Sequence, residues 1–400
     1  MASQIKYYPV DNGDTTVISI EEGGYTTNIM VDCNIRKSSK GDKNPEQYDI
    51  HADLLKLLKR KKHNGIEGVP YIDVFMLTHG DEDHLLGFED NFYQGDPKNY
   101  KQANKDKNEI LVEVLWFSPM VMGTAGNDDE RCFNKEARRR INLHCDKKDA
   151  RKDAGNRIVI IGDNGHEKID DVDDLVRFYP GDIVKRFNDR DLSSFSIFIH
   201  SPYQKELSEE DVDKNMVSLV FQARFHNSAS LDGFSTLAMF GGDSNYEAWD
   251  TILKKTKKYG NDKKHHALKW DLFMAPHHCS WTYFGGDSEN DEEAAEASLE
   301  ELDYGRGTAK VITSCREIKD EEPNPPHYRA YEEYVDKVKK ANVLQTATHD
   351  KKGKTPQPLV FEVKQLGPTL LKRAEGNAAV AGTGAVSTVN KTSSYGSGTI

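Results

Sequence analysis

The sequence predicts an α/β protein in which strands and helices alternate along one large domain. Short runs of β-branched and aromatic residues recur along the chain, and stretches with helical spacing of leucine lie between them. Aspartate or histidine repeatedly follows the last apolar residue of a predicted strand. In layered α/β folds, sites gather where strand ends open into loops. The pattern therefore predicts one site assembled from several strand ends.

The first half of the chain predicts a β-hairpin, a helix and two later strands. The hairpin turns at Gly23-Gly24, because glycine readily adopts the positive φ of a tight turn. The predicted bounds are 15–20 and 27–32 for the hairpin strands, 48–62 for the helix, and 73–77 and 112–117 for the later strands. Residues 120–157 form a polar, basic insertion that is helical from 130 to 148.

The second half predicts seven strands and three helices. The strands are 195–200, 217–223, 236–240, 271–275, 309–314, 343–346 and 358–363, and the helices are 245–258, 288–303 and 327–341. Residues 374–400 consist mainly of Gly, Ala, Ser and Thr, which is typical of a flexible tail or linker. We therefore expect one domain over 1–370, followed by that tail.

One stretch concentrates side chains that bind divalent metals. His79, Asp81, Asp83 and His84 fall within six residues, directly after the predicted strand at 73–77. They cannot all belong to the core, because each would have to be desolvated and paired. Imidazole suits zinc and related metals, and carboxylate accepts zinc, manganese or magnesium. The alternative is a solvated acidic turn with two incidental histidines.

Other strand ends carry the same residue types. Asp32 ends a strand, Asp243 follows Gly241-Gly242, and His277 and His278 follow the strand at 271–275. Each has a plainer alternative: a strand-end cap, a turn aspartate or a packed loop histidine. The aromatic residues after the histidine pair could stack on a ligand, although ordinary packing is the more common role.

Charge is unevenly distributed along a chain whose net charge is −12. That overall charge argues against a general polyanion binder. Residues 254–269 carry seven lysines, 138–140 are three arginines, and 287–303 hold nine acidic residues. Such runs are usually solvated helix faces, and guidance of a phosphate-rich substrate by the basic runs is the alternative.

Sequence features also bear on location. No window approaches eighteen consecutive apolar residues, which argues against a membrane span, and the N-terminus lacks the pattern of a secretory signal. Five scattered cysteines predict free thiols in a reducing compartment. We therefore expect a cytoplasmic protein without a membrane partner.

Taken in order, these motifs resemble the metallo-β-lactamase-fold hydrolases. The closer resemblance is to the subgroup that includes the hydrolase domain of the competence protein ComEC and bacterial phosphorylcholine esterases. The matching segments cover most of 8–365: Val10–Asp14, Asn28–Asp32, His79–His84 as H-x-D-x-D-H, Asn215–Val220, Phe240–Asp243, Pro276–Ser280 and Asn324–His327. The resemblance implies an αββα sandwich, two mixed sheets flanked by helices.

The resemblance also implies a binuclear site with two divalent ions, zinc or manganese, and a bridging hydroxide. His79 and Asp81 would bind one ion, Asp83 and His84 the other, and Asp243 would bridge both. His278 would complete the second position. Asp83, His277 and His327 are the implied catalytic residues, with the two histidines stabilising the transition state or protonating the leaving oxygen. For His327, a polar residue at a helix N-terminus is the plainer alternative.

The chain departs from the family pattern at three positions. Cys279 and Pro326 stand where the family has glycine. Asn215 stands at the place of the third-motif histidine, with His200 and His226 as candidate substitutes. The departures leave the filling of the first metal position open.

The function implied by the resemblance is hydrolysis of phosphodiesters, with nucleic acid as the expected substrate. The net negative charge leaves a small phosphodiester or a cyclic nucleotide open as the substrate. An ester or lactone hydrolase on the same site is one alternative. The other is a non-catalytic, metal-stabilised subunit of a bacterial defence or competence assembly, with the acidic helix or the C-terminal tail contacting a protein partner.

Overall fold

Two large β-sheets pack face to face, and helices cover their outer surfaces. The computed structural model describes residues 2–203, 215–227, 229–230, 232–259, 265–286, 293–320 and 325–372. The predicted tail at 374–400, residues 288–292 of the predicted acidic helix and Asn324 lie outside these ranges. The predicted αββα sandwich is confirmed.

The strands and helices alternate along the chain as expected. In chain order the strands are β1 (Gln4–Tyr7), β2 (Thr16–Glu22), β3 (Tyr25–Val31), β4 (Arg60–His63), β5 (Ile66–Met76), β6 (Leu111–Phe117), β7 (Arg157–Ile161), β8 (Arg177–Phe178), β9 (Ile183–Val184), β10 (Arg186–Phe187), β11 (Arg190–Asp191), β12 (Phe195–Ile199), β13 (Phe221–His226), β14 (Phe234–Phe240), β15 (Trp270–Met274), β16 (Gly305–Thr313), β17 (Val343–Gln345), β18 (Leu359–Lys364) and β19 (Gly367–Leu370). The α-helices are α1 (Ile50–Leu57), α2 (Glu82–Leu85), α3 (Phe88–Asn91), α4 (Gln102–Asp106), α5 (Asp128–Cys145), α6 (Glu167–Asp170), α7 (Tyr246–Tyr259), α8 (Glu296–Leu302) and α9 (Tyr328–Val338).

Each sheet is part antiparallel and part parallel. The first sheet runs β19-β18-β1-β2-β3-β5-β6-β7-β8, with β4 paired to β5, and its strands are parallel from β3 to β8. The second runs β17-β16-β15-β14-β13-β12-β9, and is parallel from β14 to β17. Parallel neighbours end at the same edge, so the loops after β3 and β5 gather in one sheet and those after β14, β15 and β16 in the other.

The parallel strands are apolar on both faces because both faces are covered. On β5, Val74 and Met76 face the core between the sheets, whereas Phe75 packs under the helices. On β15, Leu272 faces the central core, and Phe273 packs against the helices of the second sheet. Because successive side chains of a strand point to opposite faces, one continuous apolar run contributes to two separate cores.

The predicted helix at 48–62 is too long. The helix α1 ends at Leu57, and Arg60–His63 forms strand β4, which turns back onto β5. The turn is Asn64-Gly65, both with positive φ (48° and 80°), and this pair strongly favours a two-residue hairpin. The leucine spacing of α1 hid that signal.

The predicted strand at 217–223 begins later than expected. Strand β13 starts at Phe221, and residues 215–217 form a turn. The backbone N–H of Leu219 donates to the carbonyl of Thr78 (3.0 Å). The segment before β13 therefore contacts the loop at 78–84, which follows β5 of the first sheet.

The basic helix α5 is part of the first sheet's outer layer. Phe133, Ala137 and Ile141 recur at helical spacing on its buried face. Arg140 is also buried: it donates to Glu136 (2.7 Å) on its own helix and to the carbonyls of Val112 and Arg157 (both 3.1 Å). The arginine run therefore contributes partly to packing, and not entirely to a solvated face.

The acidic helix also contributes to packing. Glu301 on α8 is fully buried, and burial raises the pKa of its carboxyl group well above the usual value. All five cysteines are free thiols. Within the described ranges, the helices are too short or too polar to cross a lipid bilayer.

We predict that Arg140→Ala lowers the free energy of unfolding by about 3–5 kcal/mol, because it leaves the buried Glu136 carboxylate without its main counter-charge. Urea unfolding followed by circular dichroism measures the change. Arg131→Ala is the control, since Arg131 is exposed and pairs with the exposed Asp128, and its effect should stay within about 0.5 kcal/mol. Equal losses in the two variants would contradict a structural role for Arg140.

Candidate metal centre

Five strand ends deliver the polar residues of one buried site. β3 ends before Asp32, and β5 ends before the loop at 78–84 in the same sheet. In the facing sheet, β14 leads to Asp243, β15 to His277-His278, and β16 to Ser314. The predicted gathering of strand ends therefore takes place across both sheets.

The loop at 78–84 is held by backbone contacts from earlier segments. The N–H of Cys33 donates to the carbonyl of His84 (2.8 Å), and the N–H of Asp14 donates to that of Asp83 (3.3 Å). Gly13 lies so close that an added Cβ would be 2.5 Å from the Asp83 carbonyl oxygen. A side chain at position 13 would therefore displace the loop that carries the metal-type residues.

The loop after β15 has an unusual backbone. His277, His278 and Cys279 are consecutive and all have positive φ (48°, 54° and 66°). Left-handed non-glycine residues cost on the order of 1–3 kcal/mol each and persist where their surroundings impose them. The loop is held by His277 N–H to the Gly242 carbonyl (3.0 Å) and by His327 N–H to the Cys279 carbonyl (2.9 Å). Cys279 thus adopts a left-handed conformation that glycine would adopt more readily, and its buried thiol packs beneath the helices that cover the second sheet.

Asp243 lies between two sets of side chains. Its Oδ1 is 3.0 Å from His84 Nε2 and 3.4 Å from His278 Nε2. The His278 Nε2 is also 3.1 Å from Asp83 Oδ2 and 3.2 Å from His84 Nε2. We call Asp83, His84, His278 and Oδ1 of Asp243 the inner set.

The other oxygen of Asp243 faces a different set. Its Oδ2 is 3.6 Å from His79 Nε2 and 3.7 Å from His277 Nε2. The His79 Nε2 is also 3.6 Å from Asp81 Oδ2. We call His79, Asp81, His277 and Oδ2 of Asp243 the outer set. The structure thus brings together all six residues predicted as metal ligands and adds His277.

These distances fit residues that share a metal ion. Zinc bonds of about 2.1 Å in a tetrahedron separate neighbouring ligand atoms by about 3.4 Å, and the contacts described above range from 3.0 to 3.7 Å. Each contact of the outer set involves Asp243 Oδ2 or His79 Nε2. His79 Nε2 and Asp243 Oδ1 are buried, and neither makes a hydrogen bond within the described part of the chain. Buried polar atoms normally have partners, so a cation on each side of Asp243 would satisfy both atoms.

Asp32 orients His84. Its Oδ2 accepts from His84 Nδ1 (2.8 Å), and its two oxygens also accept from the backbone N–H and hydroxyl of Thr78 (both 2.7 Å). With the proton on Nδ1, the lone pair of His84 Nε2 points towards Asp243. Carboxylates that hold a ligand histidine in this way are a common support of metal sites.

Asp14 is a residue that the sequence predictions did not include. It belongs to a buried group, with ligand atoms all within 4.8 Å, that also contains His84, Asp243 and His278. Its Oδ1 is 3.5 Å from Nδ1 of His278, the ring nitrogen on the side away from Asp243, and the Ser314 carbonyl is 3.1 Å from the same nitrogen. Asp14 therefore supports the ring from behind. The only signal was its place at the end of the Val10–Asp14 motif.

The site favours positive charge. Burial alone would lower the pKa of His84 and His278, but the surrounding carboxylates, Asp243 foremost, hold both pKa values well above the usual range. Burial would raise the pKa of Asp243, whereas His84, His278 and His79 hold it well below the usual range. Metal ions compete with protons for such ligands, so the same carboxylates that attract protons would attract a divalent cation.

His327 contacts the loop after β15. Its Nδ1 accepts the backbone N–H of Trp281 (2.8 Å), so the neutral ring carries its proton on Nε2. The aromatic residues weighed as a stacking surface, Trp281, Tyr283 and Phe284, are buried in the outer core of the second sheet and serve packing instead.

The candidate substitutes for the third-motif histidine bind elsewhere. His200 Nε2 lies 2.9 Å from the carbonyl of Ala267, and His226 Nε2 lies 2.8 Å from the hydroxyl of Ser196. His226 is also at the far end of β13 from the metal-type loops. Neither histidine contributes to the inner or the outer set.

The chain is distantly similar to solved beta-lactamase structures. A beta-lactamase from Chitinophaga pinensis aligns over 73% of this chain and 85% of its own, with 11% identity and a TM-score of 0.28. The class B3 di-zinc metallo-beta-lactamase LRA-12 from an Alaskan soil metagenome aligns over 84% and 92%, with 11% identity and a TM-score of 0.27. Metallo-beta-lactamase GOB-18 from Elizabethkingia meningoseptica aligns over 84% and 90%, with 10% identity and a TM-score of 0.24. No protein-family model and no curated protein matches the chain.

We predict that Asp32→Asn weakens zinc binding by about 10–100-fold. The amide keeps the shape of the carboxylate but presents a donor to His84 Nδ1, which moves the imidazole proton to Nε2, where a metal would bind. Competition with a chromogenic chelator measures the affinity.

Asp73→Asn is the matched control. Asp73 is also a buried aspartate of the first sheet, three residues before the end of β5, but it accepts from Asn28 N–H (2.9 Å) and Asn188 Nδ2 (2.8 Å) instead of from a metal-type residue. The Asp73→Asn variant should bind zinc as tightly as the wild type. Unchanged binding by Asp32→Asn would show that this carboxylate does not set the orientation of His84.

Proposed function

We propose that this chain is a metal-dependent hydrolase that cleaves phosphodiester bonds, with nucleic acid as the substrate. The observation that carries the proposal is Asp243, a buried carboxylate with imidazole and carboxylate groups gathered at each of its two oxygens. Two cations close together need a shared anion to offset their repulsion, and Asp243 is placed to be that anion.

Divalent metals, when bound, would polarise a phosphoryl oxygen and lower the pKa of a water molecule. The chain's own residues supply the rest. Asp243, Asp83 and Asp81 provide negative charge that holds the cations in place, and Asp32 and Asp14 fix the rings of His84 and His278. The neutral ring of His327 carries its proton on Nε2, so His327 would stabilise the leaving oxygen by donating a hydrogen bond from that nitrogen.

A basic groove near the loop at 78–84, which we call the metal loop, supports a polymeric phosphodiester as the substrate. The groove has a volume of about 890 Å³ and is lined by Met122–Ala125, Arg131, Asn134, Lys135, Arg138, Arg139 and Asn142, with no acidic residue among them. Along α5 the groove runs from Arg131 to Asn142. The acidic first turn of that helix, 128–130, separates the groove from Asn127, which donates to the carbonyl of Gly80 in the metal loop (3.3 Å). A strand bound along α5 would therefore run towards the site.

The exposed part of this groove is small. Arg138 donates to the carbonyls of Val121 and Gly123, and Arg139 pairs with Glu136, so these two cations also hold the local structure. Arg131 and Lys135 are exposed. They are the groups with which phosphate contacts can be tested without disturbing the fold.

We predict that Asp83→Ala and Asp243→Ala each lower phosphodiesterase activity at least about 10²-fold, because each removes a group that stabilises charge at the reacting centre. A panel of nucleic acids and a bis-phosphodiester chromogen, assayed with added zinc or manganese, measures the loss. Asp90→Ala is the control, since Asp90 is exposed and pairs with the exposed Lys37.

Activity that survives both substitutions would contradict the proposed mechanism. A wild type that holds metal but cleaves neither phosphodiesters nor a lactone would favour the non-catalytic, metal-stabilised subunit. Cleavage of the lactone alone would favour the ester hydrolase.

We predict that the double substitution Arg131→Ala/Lys135→Ala lowers kcat/KM for a long oligonucleotide about ten-fold and leaves the small chromogen within about two-fold. The salt dependence of oligonucleotide binding should also fall by about one contact per cation removed. Lys254→Ala/Lys255→Ala on α7 removes the same charge from an exposed surface elsewhere. If both double variants lose activity equally, general charge explains the effect and the groove does not.

A further inference from the structure

We infer that His277 is a metal ligand, whose Nε2 completes the outer set in place of the histidine that the chain lacks at Asn215. The inference rests on the proposed function, because it needs a cation beside Asp243. It reassigns His277 from transition-state stabilisation, the role implied by the family resemblance, to holding the ion at the position where His79 and Asp81 lie.

The first argument is the position of the ring. His277 Nε2 is 3.7 Å from Asp243 Oδ2, and His79 Nε2 is 3.6 Å from the same oxygen. Two imidazole nitrogens therefore converge on one carboxylate oxygen from different segments, with Asp81 Oδ2 3.6 Å from His79. With His277 the outer set has four donors, the number of a tetrahedral zinc site.

The second argument is the proton on the ring. His277 Nδ1 lies 2.9 Å from the hydroxyl of Thr282, which donates to the hydroxyl of Ser280 (3.1 Å). Because the Thr282 hydrogen is used there, Thr282 accepts the proton of His277 Nδ1. The Nε2 then carries a lone pair that faces the Asp243 carboxylate. A lone pair facing an anion is unfavourable without a cation between them.

The contacts of the Thr282 and Ser280 hydroxyls extend to His327. Ser280 Oγ is 3.5 Å from His327 Nδ1, a nitrogen that already accepts from the Trp281 N–H and so has no proton to give. Ser280 Oγ accepts from the backbone N–H of Thr282 (3.2 Å) and from the Thr282 hydroxyl (3.1 Å). In this arrangement His277 carries its proton on Nδ1, and its Nε2 keeps the lone pair that a metal ion would use.

The third argument is the backbone. The left-handed conformation of His277 (φ 48°) turns its side chain towards the outer side of Asp243, and the next residue, His278, points its own Nε2 to the inner side (3.4 Å from Oδ1). Adjacent residues thus serve opposite oxygens of one carboxylate. The strain of these left-handed residues is explained if both rings hold metal.

His277→Asn tests the inference. Asparagine tolerates positive φ better than other non-glycine residues, and its amide lies where Nδ1 was, so the bond to Thr282 can persist while Nε2 is lost. We expect the wild type to bind two cobalt(II) ions per chain. The variant should bind the second ion at least about ten-fold more weakly and lose intensity in the visible cobalt bands. Equilibrium dialysis with metal analysis and absorption spectroscopy measure these quantities.

Two further variants complete the design. Thr282→Val removes the group that fixes the tautomer, and should weaken the same ion by about ten-fold with the stoichiometry unchanged at saturation. His327→Ala should leave the metal content and the cobalt spectrum as in the wild type, because His327 acts on the leaving oxygen and not on the ion. Circular dichroism and thermal unfolding of the metal-free proteins check that each variant folds.

The outcomes separate the inference from the function on which it rests. If His277→Asn binds cobalt as tightly as the wild type with an unchanged spectrum, the inference is overturned and the metal centre stands. If the wild type binds no metal, the proposed function itself fails. If His277→Asn does not fold, the affinity of Thr282→Val decides, and wild-type affinity in that variant overturns the inference.

Discussion

The charge of Asp243 is the constraint on which the structure depends. A carboxylate that is 2% exposed between two β-sheets carries a desolvation penalty of several kcal/mol unless opposite charge surrounds it. Four imidazoles surround it, two at each oxygen, and His84 and His278, whose pKa values lie well above the usual range, supply opposite charge. They come from two loops, one in each sheet, so the sandwich has to close before the carboxylate is compensated. The site is therefore also a contact that joins the sheets.

The residues that surround the histidines also account for the unusual backbone conformations of the loops. Asp32 accepts from His84 on the side away from Asp243. The corresponding nitrogen of His278 is contacted by the Gly13 N–H (3.2 Å), the Ser314 carbonyl (3.1 Å) and Asp14 (3.5 Å). Gly13 lets the first segment pass close to the Asp83 carbonyl, and the left-handed residues at 277–279 send neighbouring side chains to opposite oxygens. Local conformations that cost free energy by themselves are concentrated where metal-type residues meet, as expected when strain serves a site.

Much of the fold and most of the metal-type residues followed from patterns that are local in sequence. Strand periodicity predicted eleven strands of the sandwich, but it missed β1 and β7 inside the first sheet and the short strands β4, β8–β11 and β19. The motif order predicted His79, Asp81, Asp83, His84, Asp243 and His278 as neighbours. Errors arose where two local signals overlapped: the leucines of α1 hid the Asn64-Gly65 hairpin. Asp14 was missed because its role depends on a histidine 264 residues later in the sequence. The arginines of α5 looked like a solvated run because their partners, such as the Val112 carbonyl, are distant in sequence.

Residue type and spacing alone established that imidazoles and carboxylates end the parallel strands, and strand ends in such folds meet at one edge. The tertiary structure decided which oxygen of Asp243 each histidine faces. Hydrogen bonds between distant segments set the loop backbone and the tautomer of each ring, and these have no periodic signature in the sequence. The same reason applies to His277, whose place beside His79 comes from a left-handed backbone imposed by contacts with Gly242 and Thr282.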